Sequence, residues 1–132
     1  DQRNRKVRID KQNGKKSKTI FNTIKQYNDF SLIACTLESG RMHQIRIHLS
    51  HLSFPIVGDH LYGGKDVLLS DIKHKFNFNR TGEEQPIIKR FALHAFKLGF
   101  KNLKGEIMEF EIPYPKDFKV LEKMFSKYNT WT

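Results

Sequence analysis

Residues 38–49 read Glu38-Ser39-Gly40-Arg41-Met42-His43-Gln44-Ile45-Arg46-Ile47-His48-Leu49, and at this stretch the hydrophobic pattern of the chain changes period. Before it, Phe30 to Leu37 is an apolar run of strand length between Asn28-Asp29 and Glu38-Ser39-Gly40, which predicts a buried strand. From Arg41 to Leu52, the residues Met42, Ile45, Leu49 and Leu52 recur at helical spacing until Ser53-Phe54-Pro55 stops the pattern. This predicts a helix of about three turns. Its opposite face carries Gln44, His48 and His51. A glycine turn opening onto a helix presents free backbone N–H groups, and the nearby Arg and His side chains add donors suited to phosphate. Two readings stand on the residues alone: an anion or RNA contact site, or an amphipathic helix whose polar face is basic.

Working outward, Arg5 to Asp10 alternates in polarity, Asn13-Gly14 supplies turn chemistry, and Thr19 to Tyr27 is rich in β-branched and aromatic residues. Two strands around a hairpin are expected there. Val57 to Gly64 is a glycine-punctuated loop, and residues 65–90 form a polar excursion with at most a short helix near Val67 to His74. Phe91 to Phe100 and Glu106 to Ile112 are strand-like, joined as a hairpin by Asn102 to Gly105. Pro113 and Pro115 end the pattern, after which Asp117 can cap a helix from Phe118 to about Tyr128. The order predicts an α+β fold, a mostly antiparallel mixed sheet with flanking helices, as a single domain over residues 1–132.

The chain has 24 Lys and Arg against 14 Asp and Glu, a formal charge of +10. That balance favours a polyanionic partner, whose affinity is expected to fall steeply with salt because each neutralised phosphate releases counterions. A basic surface that only maintains solubility is the bland alternative. Cys35 is the single cysteine, which excludes an intramolecular disulfide and fits a reducing compartment. No apolar stretch approaches the roughly 20 residues of a membrane helix, and Asp1 to Arg8 lacks the features of a signal peptide, so a cytoplasmic protein with no membrane partner is expected. An Asp rather than a Met at position 1 suggests that the chain start is not the start of a gene. The six histidines lack a third ligand at convincing spacing, which argues against a metal site.

Gly40-Arg41-x-His43-Gln44-Ile45-Arg46-x-His48-Leu49, followed by Phe54-Pro55-Ile56-Val57-Gly58-Asp59-x-Leu61-Tyr62-Gly63, resembles the third sequence motif of RluA-type pseudouridine synthases and its continuation. Leu93-His94-Ala95-x-x-Leu98-x-Phe100 and Met108-x-Phe110-x-x-Pro113 resemble the closing strands of the same family. The resemblance implies the C-terminal half of a catalytic domain that isomerises uridine in RNA to pseudouridine without a cofactor, through an aspartate nucleophile acting on a base turned out of its stack. Ribosomal RNA of the large subunit is the expected substrate, ahead of transfer RNA. The family's His-Arg-Leu-Asp segment and active-site tyrosine do not occur in residues 1–132, so the nucleophile is expected upstream and this chain alone is expected to be inactive. A non-catalytic RNA-binding module derived from the same fold is the rival from another class.

By resemblance, Arg46 is the partner of the catalytic carboxylate, where a guanidinium favours the ionised form and orients it through paired hydrogen bonds. Arg41, His43 and Gln44 are expected to contact RNA or scaffold the site, and Lys15 and Lys16 to lie on the RNA backbone track. Met42 departs from the hydroxyl residue that the family more often has there, which removes a capping group. Asp59 is read as a turn-forming residue bonding its own backbone two residues on, in preference to a substitute nucleophile. Tyr62 is read as packing, and His94 as a satisfied core residue or part of the Leu-His-Ala packing.

Overall fold

The computed structural model describes residues 18–38, 43–73 and 83–130. Strands β1 (Thr19–Gln26) and β2 (Ser31–Leu37) form one antiparallel ladder, and β3 (Lys97–Lys101) and β4 (Ile107–Glu111) form another. Helix α1 (Gln44–His51) follows the first ladder, a four-residue α2 (Leu69–Ile72) lies in the polar excursion, and α3 (Lys116–Tyr128) ends the chain. The class is α+β with antiparallel pairing, as the pattern predicts. The expected mixed sheet is instead two separate two-stranded ladders among the described residues. The hairpin partner expected for β1, Arg5 to Asp10, lies outside the described residues; within them β1 pairs with β2 from Thr19↔Leu37 to Gln26↔Ser31.

The core explains why β2 is half-buried rather than buried. Tyr27, Val67, Ile72, Ile88, Leu121 and Phe125 pack together where α3 meets the β1–β2 turn and the 67–88 segment, with Phe30 and Leu32 at the edge. The main apolar centre thus lies beside the first ladder, at its turn end. Phe30 stacks on Phe125 with ring centroids 4.4 Å apart, and the Tyr27 hydroxyl donates to Glu122 at 3.0 Å. The turn is latched to the end of α3: Asn28 N–H donates to the Asn129 carbonyl at 2.7 Å, and Asn129 Nδ2 to Asp29 at 3.0 Å. Leu121 and Phe125 stand one helical turn apart, so a single stripe of α3 closes the core.

Helix α1 is shorter than the three turns expected from Arg41 to Leu52, because His43 takes a left-handed conformation immediately before it, and two other boundaries also differ for identifiable reasons. Residues 91–96 do not extend β3, because the Ala92 N–H is taken by the Val57 carbonyl at 2.8 Å and the Leu93 N–H by that of Phe91 at 2.9 Å. Asp117 is not the cap of α3, since Pro115 occupies that position and Asp117 lies inside the first turn. Its carboxylate receives Arg90 Nε at 2.8 Å and Nη2 at 3.1 Å, which ties α3 to the segment before Phe91. The Arg90 hydrogen bonds hold the Asp117 carboxyl below its ordinary value.

A carboxyl depressed in the folded state binds fewer protons than in the unfolded chain, so the pair's stabilisation is present above the unfolded pKa near 3.8 and is lost as pH falls through the folded value. Arg90→Ala is therefore expected to flatten the fall of the thermal midpoint between about pH 5 and pH 2. An acid-side slope identical to wild type would exclude this latch as a source of acid sensitivity. Because both side chains are substantially exposed, the effect on total stability is small.

Candidate functional site

Helix α1 begins in an unusual way. His43 precedes it at φ 53°, in the left-handed region, and makes no side-chain cap. Beyond it, Gln44 and Arg46 turn to two different neighbours. Gln44, 4% exposed, faces β1: its Nε2 donates to the Lys18 carbonyl at 2.8 Å and to Thr19 Oγ1 at 2.9 Å. His48 Nδ1 lies 2.8 Å from the same hydroxyl. The face read as an RNA contact site or a basic polar surface is thus partly a seam to the first strand.

Arg46 points the other way, into the loop after the helix. Its Nε donates to Asp59 Oδ2 at 2.9 Å and its Nη2 to Asp59 Oδ1 at 2.7 Å, a two-pronged grip between an arginine 9% exposed and an aspartate 1% exposed. The guanidinium carbon also sits 4.2 Å from the Phe91 ring centre and 4.9 Å from that of Tyr62. The Asp59 hydrogen bonds are the first cause holding the guanidinium pKa above its already high value, so Arg46 is a permanent cation. Asp59 therefore does not bond its own backbone through its side chain, as the turn reading expected; the buried cation supplies a stronger partner. The turn is held by backbone instead, with Tyr62 N–H at 3.2 Å and Gly64 N–H at 2.7 Å donating to the Asp59 carbonyl.

Tyr62 is buried as the packing reading expected, and it also makes polar contacts. Its hydroxyl lies 2.8 Å from His43 Nδ1, and its carbonyl accepts Ser50 Oγ from α1 at 2.6 Å. Burial first, and then the Arg46 charge, push the His43 pKa below its ordinary value. His94 is half-buried and bonded to the Ile112 carbonyl through Nε2 at 3.0 Å, with Tyr114 edge-on at 5.9 Å, so it packs on the β4 exit rather than in the core.

The structure thus brings together His43, Arg46, Asp59, Tyr62 and Phe91, and it directs Gln44 to a different seam. Arg41, Lys15 and Lys16 lie outside the described residues. Phe91 was not legible beforehand, because nothing in the spacing links the end of the polar excursion to α1. Among the described residues no three His, Cys, Asp or Glu side chains converge as metal ligands, and no helix is long and apolar enough to cross a membrane.

The family model described as RNA pseudouridylate synthase matches residues 1–51, which include the Arg46 motif. The chain belongs to the RNA pseudouridine synthase family, of the RluA type that its motifs resemble. It is 36% identical over 122 residues to an uncharacterised RNA pseudouridine synthase of Bacillus subtilis, covering 92% of this chain and 34% of that protein. It is 35% identical over 106 residues to the ribosomal large subunit pseudouridine synthase D of Haemophilus influenzae, covering 80% of this chain and 31% of the relative. A Chlorobaculum parvum RNA pseudouridine synthase is 39% identical over 113 residues, with 84% and 34% covered. The chain spans about a third of the length of the curated relatives it matches.

Proposed function

We propose that the protein carrying this chain isomerises uridine to pseudouridine in large-subunit ribosomal RNA, in the cytoplasm and without a cofactor, with Arg46 as the partner of the nucleophilic aspartate. The nucleophile is assigned to sequence outside residues 1–132, since no His-Arg-Leu-Asp segment occurs within them. The observation that carries the reading is Arg46 itself: a permanent cation, largely withdrawn from water, fixed on a rigid helix in the family's motif. A guanidinium in such a place keeps an adjacent carboxylate ionised and aimed, which a nucleophile attacking a flipped nucleotide requires. Arg41, His43, Lys15 and Lys16 are assigned to RNA contact, consistent with the formal charge of +10. Gln44, its amide protons engaged with β1, is assigned to scaffolding.

Joining C5 of uracil to the ribose displaces the C5 hydrogen, so tritium release from RNA labelled at that position reads the reaction directly. The full cellular protein is expected to release tritium from large-subunit ribosomal RNA, Arg46→Ala to lower kcat by about 100- to 1,000-fold, and residues 1–132 alone to release none. No release from any RNA by the full protein, with salt-sensitive binding retained, would replace this reading with a non-catalytic RNA-binding module.

A further inference from the structure

The guanidinium of Arg46 is restrained on three sides. Asp59 holds its Nε and Nη2 edge, Phe91 covers one ring-contact direction at 4.2 Å, and Tyr62 approaches at 4.9 Å. Nη1 hydrogen-bonds none of the described residues, and no fully buried side-chain nitrogen among them lacks a partner, so Nη1 reaches solvent. An arginine offers two edges to oxyanions, and here one edge is filled and the other open.

Building on the proposed role of Arg46, we infer that Asp59 is a positioning residue: it grips Arg46 side-on so that the terminal Nη1–Nη2 edge is presented, in one orientation, to the carboxylate of the nucleophile. Asp59 touches no reacting atom in this arrangement. It is fixed in turn by the turn backbone, whose bonds from Tyr62 and Gly64 set its carbonyl, and by near-complete burial, which leaves its carboxylate no competing water. Asp59 is therefore neither a substitute nucleophile nor a bystander.

The test uses the full cellular protein and the acid limb of the pH profile of tritium release. If Asp59 acted only through its charge, Asp59→Asn would make the site more positive and move the acid limb to lower pH. If Asp59 positions Arg46, the same variant loosens the cation from the nucleophile: the limb moves to higher pH and kcat falls about 100-fold, while KM for RNA holds. In an Arg46→Lys background, which has no fork to aim, Asp59→Asn is expected to add little further loss. An acid limb moved downward, or full additivity of the two substitutions, overturns the proposal. Should Asp59→Asn not fold, nitrogen NMR of wild-type Arg46 decides: a slowly exchanging, rotationally hindered guanidinium supports the grip, and free rotation rejects it. Arg46→Ala that stays active sinks the functional reading itself, whereas inactive Arg46→Ala with wild-type Asp59→Asn sinks only this inference.

Discussion

Arg46→Met is expected to destabilise the protein by about 3–5 kcal/mol, read as a lower midpoint of urea denaturation with little change in slope. The loss comes less from the contacts that Arg46 makes than from what its removal leaves behind. Asp59 is 1% exposed, and without the guanidinium its carboxylate is a buried charge with no counterion. The pair itself need not be a large net stabiliser, since both groups lose hydration when buried. A second substitution separates the two ideas: Arg46→Met with Asp59→Asn removes the stranded charge and is expected to recover a substantial part of the loss. A double variant no more stable than Arg46→Met alone would show that the aromatic packing of Arg46 on Phe91 and Tyr62 dominates instead.

How much of this was readable in the sequence follows from the range of the interactions. α1 was legible because its apolar spacing and the Ser53-Phe54-Pro55 stop are local, and the Asn102–Gly105 hairpin because Gly105 takes a φ of 78° and Asn102 Oδ1 accepts two backbone N–H groups. What each face of α1 touches was not legible. Helical periodicity assigned Leu52 to the buried side, yet it is 52% exposed while Gln44 and Arg46 are buried, because one strand and one loop supply polar partners that pattern alone does not reveal. Ile88 escaped for a similar reason: it sits at the end of a polar stretch, and its burial depends on α3, which lies far along the chain. The Arg46 motif signalled a site through family resemblance. Its pairing with Asp59 is a tertiary fact that the turn chemistry of Gly58-Asp59 concealed.

Gly64→Ala is expected to cost about 3 kcal/mol or more, and the reason is backbone crowding rather than dihedral preference. A methyl group at position 64 would overlap the Ile56 carbonyl oxygen and come within 2.9 Å of Asp59 N and 3.0 Å of Asp59 O. All three are main-chain atoms of a turn already closed by Asp59 N–H to Ile56 O, Gly64 N–H to Asp59 O and Gly58 N–H to Lys65 O, so no side-chain rotation relieves the clash. The strands of the turn must separate, and Asp59 moves with them. Gly63 provides the control: its φ of 91° strains any substituent, but no atom lies within 4 Å of its added Cβ, so Gly63→Ala is expected to cost only about 1–2 kcal/mol. Denaturation midpoints rank the two. Because Arg46 takes its orientation from Asp59, the Gly64 variant is also expected to lose tritium release under conditions where it remains folded, while Gly63→Ala retains it. A Gly64→Ala protein as stable as Gly63→Ala would mean that the turn yields without resistance, and a rigid Asp59 could then no longer be what aims Arg46.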